Sequence, residues 1–486
     1  MLDAAEVAKH NNRDSCWVVI QEQVYDVTDF LEEHPGGANI ILRYAGKDAT
    51  DEYMPVHPPG TIENELPKEK HLGKLDSSTL TAATEKLATS AAAKPSADII
   101  PITLCLNLDD FERAAKSVVS RRAWTYYASA SEDLQSHRAN LEDWKRVTFR
   151  PRVLRNVQRV DMRQTLLGHR SNLPIFIAPA ALARLGHPDG ELCLARGAAR
   201  HNIPYAVSTA SSVSAEDLSQ CLAGEAAGGC LCFQLYVKKQ ESETRSLIRR
   251  ARALGFKALL VTVDTPVVGK REEDDRYKAE IALEAGETAV PRLADPTPGE
   301  ELPVFRGPYS STLNWDDLRW IREEWGDAGP MCLKGITTAE DAKLACDLGI
   351  KSIYLSNHGG RQLDSAPSAI CTLLEIRRFF PEVFDHCEVL VDGGARRGND
   401  ILKALCLGAK GVGFGRPFMY ALSAYGTEGV VKAIQLLSDE LETSMRQLGV
   451  TRLDQLRPYM VNTRELDAKI MLDLPPQASG RTKEKL

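Results

Sequence analysis

Several familiar signposts are missing from this chain. Among its 486 residues, no apolar run approaches the ~18 residues that a membrane-crossing helix needs. There is no C-x-x-C pair, and the one C-x-C, Cys230/Cys232, lies inside an apolar run. Zinc-ribbon and dithiol redox motifs are thereby excluded. The eleven scattered cysteines are expected to be free thiols, mostly in cores, in a reducing or thiol-tolerant place. An excess of positive charge is also missing. The net charge of −7 argues against general nucleic-acid binding, and an acidic surface suits a basic protein partner. The opening residues, Met1-Leu2-Asp3-Ala4-Ala5-Glu6, form neither an Arg-rich presequence nor a signal peptide. From this, a cytoplasmic protein is expected, or one whose targeting segment is missing.

The length is too great for one ordinary core and implies two or three domains. Residues 1–75 alternate short apolar strands (16–20, 24–27) with polar helical stretches. Residues 76–104 read as a flexible linker, with Ser, Thr, Ala and Lys dominating 76–98. From 105 to 465 the rhythm is α/β, and 466–486 looks like an extended tail with Pro475-Pro476. Eight apolar runs are candidate parallel strands: 175–178, 205–208, 231–235, 258–263, 331–334, 352–356, 388–392 and 411–414. Helical patterns separate them, for example at 240–254, 338–348 and 397–407. Eight regular βα units predict a closed (β/α)8 TIM barrel, with an open doubly wound sheet as the alternative. From Glu272 to about Ser311 the rhythm breaks, and a long loop above the fourth strand is expected, either a lid or a disordered excursion.

A barrel carries its chemistry at the C-terminal ends of its strands. Here nearly every end holds a polar group: Pro179-Ala180, Ser208-Thr209, Gln234-Leu235-Tyr236, Thr262-Val263-Asp264, Lys334, Ser356-Asn357-His358, Asp392-Gly393-Gly394 and Gly415-Arg416. Any one of them would pass for a cap or a turn residue; eight together would not. Ser356-Asn357-His358-Gly359-Gly360-Arg361-Gln362-Leu363-Asp364 is the most informative stretch. Its imidazole can take a proton near neutral pH, and its guanidinium can fork onto a carboxylate. Asp264 can orient that imidazole; its bland reading is an Asx-turn before Pro266. Arg271 and Arg361 can share a substrate carboxylate, and Tyr126 and Tyr236 can supply phenolic donors. Gly393-Gly394 with Arg396, and Gly415 with Arg416, suit a phosphate after the last two strands. Lys334 suits negative charge on a reduced cofactor ring.

These motifs carry a resemblance. Tyr126-Tyr127-Ala128-Ser129, Phe233-Gln234-Leu235-Tyr236-Val237, Thr262-Val263-Asp264-Thr265-Pro266, the His358 stretch and Asp392-Gly393-Gly394-Ala395-Arg396-Arg397-Gly398 resemble the FMN-dependent 2-hydroxy-acid oxidases and dehydrogenases. The resemblance implies that His358 is the base, paired with Asp264 and assisted by Tyr236. It implies substrate contacts from Tyr126, Tyr236, Arg271 and Arg361. Lys334 would contact the flavin ring. Ser208, Gln234, Thr262, Ser356, Asp392, Gly393, Gly394, Arg396, Gly415 and Arg416 would hold FMN, with backbone help at Pro179-Ala180. There are two departures. Lys270 stands where the family usually shows Arg, and Ala210 where relatives carry a bulkier Leu or Trp. The smaller residue leaves room for a larger acid.

In the first segment, Phe30-Leu31-Glu32-Glu33-His34-Pro35-Gly36-Gly37 is followed 23 residues later by His57. Two facing imidazoles can saturate a haem iron, leaving a centre that carries electrons; two loop histidines that never meet is the plain alternative. Tyr25-Asp26-Val27-Thr28, His34-Pro35-Gly36-Gly37 and Gly46-Lys47-Asp48-Ala49-Thr50 resemble cytochrome b5, an α+β haem domain. That resemblance implies His34 and His57 as axial ligands of haem b, and leaves His10 and His71 as surface residues. Together the two resemblances imply oxidation of an L-2-hydroxy acid, most simply L-lactate to pyruvate. Electrons would pass from FMN through haem b to cytochrome c. Alternatives are mandelate or another larger acid, and a peroxide-forming oxidase. The family further implies a homotetramer and the mitochondrial intermembrane space.

Overall fold

The computed structural model describes residues 2–31, 33–34, 38–76, 79, 99–225, 228–284 and 309–474. Pro35-Gly36-Gly37, nearly all of the expected linker, residues 285–308 of the insertion and the tail from 475 lie outside the described residues.

The N-terminal segment folds on a small mixed sheet. Its strands are β1 (Leu2–Asp3), β2 (Asn11–Asn12), β3 (Ser15–Ile20), β4 (Gln23–Asp26), β5 (Lys47–Asp48) and β6 (His71–Asp76). They run in the order β1-β6-β4-β3-β2, with β5 alongside β3. The β3–β4 hairpin turns on Gln21 and Glu22, both left-handed at φ 49° and 63°, as the twist of a tight hairpin demands. Alternation along β3 sends Val18 and Ile20 to one core and Val19 to another. Short helices Ala38–Leu42, Thr50–Tyr53 and Thr61–Glu65 complete this unit.

The larger unit is a closed barrel of eight parallel strands. They are β7 (Ile175–Ile177), β8 (Pro204–Ser208), β9 (Cys230–Leu235), β10 (Leu259–Thr262), β11 (Met331–Ile336), β12 (Ser352–Leu355), β13 (Glu388–Val391) and β14 (Gly411–Phe414). β14 pairs with β7, which removes both edges and rules out the open-sheet alternative. The residue alternation is two-sided. Phe176, Ala206, Cys232, Leu260, Cys332, Tyr354 and Leu390 fill the barrel interior. Ile177, Val207, Leu231, Val261, Ile353 and Val389 pack outward under the helices. Burial on both faces explains why the strands read as unbroken apolar runs. Leu166 and Leu167, on the hairpin of strands Gln164–Leu166 and His169–Ser171, plug the N-terminal mouth. The C-terminal mouth is left for side chains with chemistry.

The structure corrects three readings. The insertion does not begin as a loop: Glu272–Glu284 is a helix. Glu272, Glu273, Asp274 and Asp275 sit in its first turn, where the helix dipole favours anions. It packs on the helix Arg121–Ala128 through the Arg121–Glu280 ion pair and Arg121 over Tyr277. Lys334 is not at a strand end but inside β11, where the register slips between Lys334 and Ile336. Lastly, His10 and His71 are packed, half-buried residues. His10 stacks on Trp17 at 3.5 Å and meets Ser15 at 2.6 Å, and His71 lies edge-on to Tyr25. All eleven cysteines are free, and nine of them are buried.

Candidate active site

At the C-terminal mouth of the barrel, β10 and β12 bring Asp264 and His358 together. His358 Nδ1 lies 3.1 Å from both Asp264 carboxylate oxygens. A proton on Nδ1 donates to that carboxylate, so Nε2 carries the lone pair. The Tyr236 hydroxyl, just past β9, sits 3.1 Å from Nε2 and can donate to it. Lys334 Nζ lies 3.5 Å from Nδ1. Burial and the Lys334 charge push the His358 imidazole below its ordinary value, with Asp264 pulling the other way. Burial alone would raise the Asp264 carboxyl; the charge of His358 in its protonated form, that of Lys334 and the hydrogen bonds from His358 and Thr265 together outweigh it and hold the group at about 2. Burial drives the Tyr236 phenol well upward, so its proton stays on. The result is a neutral imidazole oriented by a buried carboxylate, the arrangement of a general base.

Two backbone features bring these groups into contact. Gly335, at φ +112°, occupies the slip in β11, and a Cβ there would lie 2.6 Å from Asp264 Cβ. Only a glycine admits the carboxylate at that point. His358 itself is left-handed at φ 59°, and its N–H donates to Ser356 Oγ at 3.1 Å. Gln362 Nε2 donates to the Asp264 and Val267 carbonyls, tying the His358 loop to the Asp264 loop.

Beside this pair lies a cavity lined by cations. Arg271, Lys334, Arg361, Arg396 and Arg416 all border it, with Tyr126, Pro179, Ala180, Ser208, Tyr236, Asp392, Gly393, Gly394 and Gly415. Arg361 Nη1 donates to the carbonyls of Tyr126 and Ser129, and its guanidinium lies 5.3 Å from the centre of the Tyr126 ring. Burial, with Arg271 and Arg416 nearby, pushes the Arg361 guanidinium down to about 9. Arg271 Nε is buried with no hydrogen-bond partner among the described residues. Clustered cations that repel one another, one of them with an unpartnered Nε, suit an anionic ligand. Arg416 donates to the Tyr127, Gly359 and Ser129 carbonyls, and Arg396 pairs with Glu112 and Asp109. A Cβ on Gly415 would meet nothing closer than Ala178 Cβ at 4.0 Å, so this glycine opens onto the cavity. Tyr354 donates to one Asp392 oxygen at 2.8 Å; the other is buried and unpartnered among the described residues. A ligand rich in hydroxyls, with a phosphate and a carboxylate beside it, matches this donor set.

Most predicted residues thus converge on one cavity. Gln234 and Thr262 stand in the next layer, with Gln234 Nε2 donating to Thr262 Oγ1 at 2.8 Å. Ser356 Oγ holds the His358 N–H, as noted above. Ala210, half-buried just after β8, donates its N–H to Ser208 Oγ and is not among the lining residues. Residues that carried no signal are Tyr309, stacked on Tyr236, and Asn140, which exchanges hydrogen bonds with Asn357. Neither belongs to a motif, and each reaches the site from a distant element.

In the N-terminal unit the rings of His34 and His57 lie 5.9 Å apart, tilted by 37°. Metal–nitrogen bonds of about 2 Å on either side of one ion bring two rings to such a separation. His57 Nδ1 bonds the Tyr53 carbonyl at 3.1 Å, which leaves Nε2 for a metal. Tyr53 stacks on His57 at 4.1 Å, and Phe30 lies edge-on to His34. Burial lowers the His57 imidazole to about 4, so it is a neutral ligand at physiological pH. The donor set fits a bis-imidazole haem. Arg122 Nη1 donates to Glu52 Oε2 at 2.7 Å, joining the helix that bears Tyr126 to the helix before His57.

Comparison with known proteins gives a family for each of the two units. Residues 115–463 match the FMN-dependent dehydrogenase family, and residues 3–76 match the cytochrome b5-like haem/steroid binding domain. The L-lactate dehydrogenase (cytochrome) of Wickerhamomyces anomalus is 40% identical over 470 residues, covering 95% of this chain and 79% of that protein. Glycolate oxidase 3 of Oryza sativa subsp. indica is 38% identical over 358 residues, covering 73% of this chain and 95% of that one. A solved structure of mutant flavocytochrome b2 with pyruvate bound superposes with a TM-score of 0.68 at 37% identity, covering 77% of this chain and 91% of the other. The chain belongs to the FMN-dependent dehydrogenase family, with a cytochrome b5-like domain in front of its barrel.

Proposed function

We propose that the protein oxidises an L-2-hydroxy acid, with L-lactate to pyruvate as the reaction it fits best. Electrons leave through haem b to cytochrome c. The observation that carries this reading is the His358–Asp264 pair beside half-buried Arg271 and Arg361, in one chain with the facing pair His34 and His57. FMN, when bound, would supply a two-electron acceptor, and haem, when bound, a one-electron carrier. Arg271 and Arg361 hold the substrate carboxylate, with Tyr126 and Tyr236 as hydroxyl donors. His358 Nε2 takes the hydroxyl proton while the α-hydrogen departs with its electron pair; the same residues serve a route in which His358 removes the α-proton. Asp264 stabilises the imidazolium that forms. Lys334, buried in β11 beside His358, is the side chain placed to face the flavin ring.

The oxidase match covers the barrel's share of the chain, whereas the cytochrome-linked match covers 95% of it, which favours an electron-transfer product over peroxide. A larger acid such as mandelate is the second reading, supported by the small Ala210 close to Ser208. The net charge of −7 suits a basic acceptor such as cytochrome c. Val153 and Leu154, 81% and 101% exposed, support association into a homotetramer. The mitochondrial intermembrane space is the compartment that goes with this partner.

An anaerobic visible spectrum before and after L-lactate tests the reading. Bleached flavin with sharp reduced b-type haem bands is the expected result. Flavin bleaching alone would leave a dehydrogenase with a disconnected haem. Reduction by mandelate but not lactate would move the substrate, and no change with any 2-hydroxy acid would defeat the reading.

A further inference from the structure

The residues discussed so far leave Tyr309 unexplained. Its ring stacks on Tyr236 at 4.2 Å between centres, with the planes 18° apart. Its backbone is pinned to the segment just past β9, through a bridge from Tyr309 to Lys238 and a bond from Ser310 N to the Val237 carbonyl at 2.8 Å. Lys238 Nζ lies 6.0 Å from the ring centre. Tyr126 and Arg271 are close enough to act on its phenol. The chain therefore leaves the site after Arg271 and returns to it at Tyr309.

We propose that Tyr309 is a positioning residue for hydroxy-acid oxidation, holding the Tyr236 ring so that its hydroxyl stays beside His358, on Nε2 in the free enzyme and on the substrate hydroxyl once Nε2 takes the substrate proton. The proposal rests on the reading of His358 as base and Tyr236 as a substrate contact. A tyrosine turns about two side-chain torsions, and a swing about the first carries its oxygen several ångströms. A ring stacked on it and anchored to the same stretch of backbone removes that freedom. The Tyr236 O–H donated to Nε2 favours the neutral imidazole. The ionisable groups facing His358 are Asp264, Lys334, Tyr236 and Arg271, and of these Tyr309 touches Tyr236. Freeing Tyr236 then raises the pH at which His358 protonates, while the other three stay in place.

The test uses the full chain with both cofactors. Turnover of L-lactate per bound FMN is measured across pH for Tyr309→Phe, Tyr309→Leu, Tyr309→Ala and Tyr236→Phe, with oxalate affinity read from the flavin spectrum and thermal melts in parallel. Tyr309→Phe keeps the ring and is expected to stay within about twofold of the parent. Tyr309→Leu and Tyr309→Ala are expected to lose about two- to tenfold in kcat/KM, the range of an aromatic pair. Their acid limb should move to higher pH and their oxalate affinity should weaken. If Tyr309→Ala fails to fold, Tyr309→Leu carries the comparison. A Leu variant with unchanged kcat/KM and acid limb, beside an impaired Tyr236→Phe, overturns the proposal. A loss in Tyr309→Phe as large as in Tyr309→Leu also overturns it, because the hydroxyl rather than the stack would then matter. An unimpaired Tyr236→Phe instead overturns the reading of Tyr236 beneath it.

Discussion

His358 lies half-buried between the Asp264 carboxylate and the Lys334 cation. Replacing it by glutamine removes the proposed base and roughly keeps its size. The His358→Gln protein should bind FMN normally and lose about 10²–10⁴ in kcat with L-lactate. The sign of the pH dependence follows from the surroundings. Burial and Lys334 depress the imidazole, so the neutral base survives below its ordinary value of 6.5. The acid limb of kcat/KM should therefore lie under pH 6.5, with activity falling as pH drops through it. Asp264 is the one neighbour that raises the imidazole. Asp264→Asn should move that limb to still lower pH while kcat falls, because the imidazolium loses its counter-charge. A limb that moves upward in Asp264→Asn would contradict this electrostatic account. At this scale the sequence was informative: His358, Asp264, Arg361 and Lys334 stand in motifs whose chemistry can be read from residue type. Tyr309 does not. It matters only because a distant segment lays it on Tyr236.

At the scale of elements, β11 shows how backbone geometry serves chemistry. The strand slips at Gly335, and the slip lets the Asp264 carboxylate pack against it. Gly335→Ala meets two obstacles: a left-handed φ of +112° and a Cβ 2.6 Å from Asp264 Cβ. The expected cost is roughly 1–3 kcal/mol of stability from backbone strain alone. A displaced Asp264 should lower kcat as well. Thermal unfolding and steady-state turnover of the same preparation check both, and a variant with parental melting and rate would show the packing to be loose. The periodic apolar runs made all eight barrel strands legible, within a residue or two. The bulge was not legible, because a single glycine in a strand reads equally as a turn. The helix Glu272–Glu284 was also missed. Its acidic first turn resembles loop composition, and its partner, the helix Arg121–Ala128, lies about 150 residues away in sequence.

For the molecule as a whole, two redox sites share one chain, and the Arg122–Glu52 pair joins the elements that carry them. Separating the sites is the cleanest test of their roles. His57→Ala removes one of the two facing imidazoles of the N-terminal unit. The expected protein has no reduced b-type haem bands, still bleaches its flavin with L-lactate, and reduces cytochrome c at a small fraction of the parental rate. Retained haem bands in that variant would remove His57 from the haem site. Motifs around His34 and His57 pointed to the haem unit, but only the folded chain brings the two rings to 5.9 Å.

The sequence by itself determined what depends on residue type and local period: eight apolar runs for a barrel, and a histidine, an aspartate, cations and two further imidazoles whose side-chain chemistry suits the roles proposed for them. These follow from hydrophobic burial and side-chain chemistry, which act over a few residues. Tertiary structure alone decided which groups meet. It closed β14 onto β7, set Tyr236 on Nε2 of His358, opened β11 at Gly335 for Asp264, and stacked Tyr309 behind Tyr236. Such contacts join residues about 70 to 240 positions apart. They are fixed by the packing of the whole barrel, which no local pattern encodes.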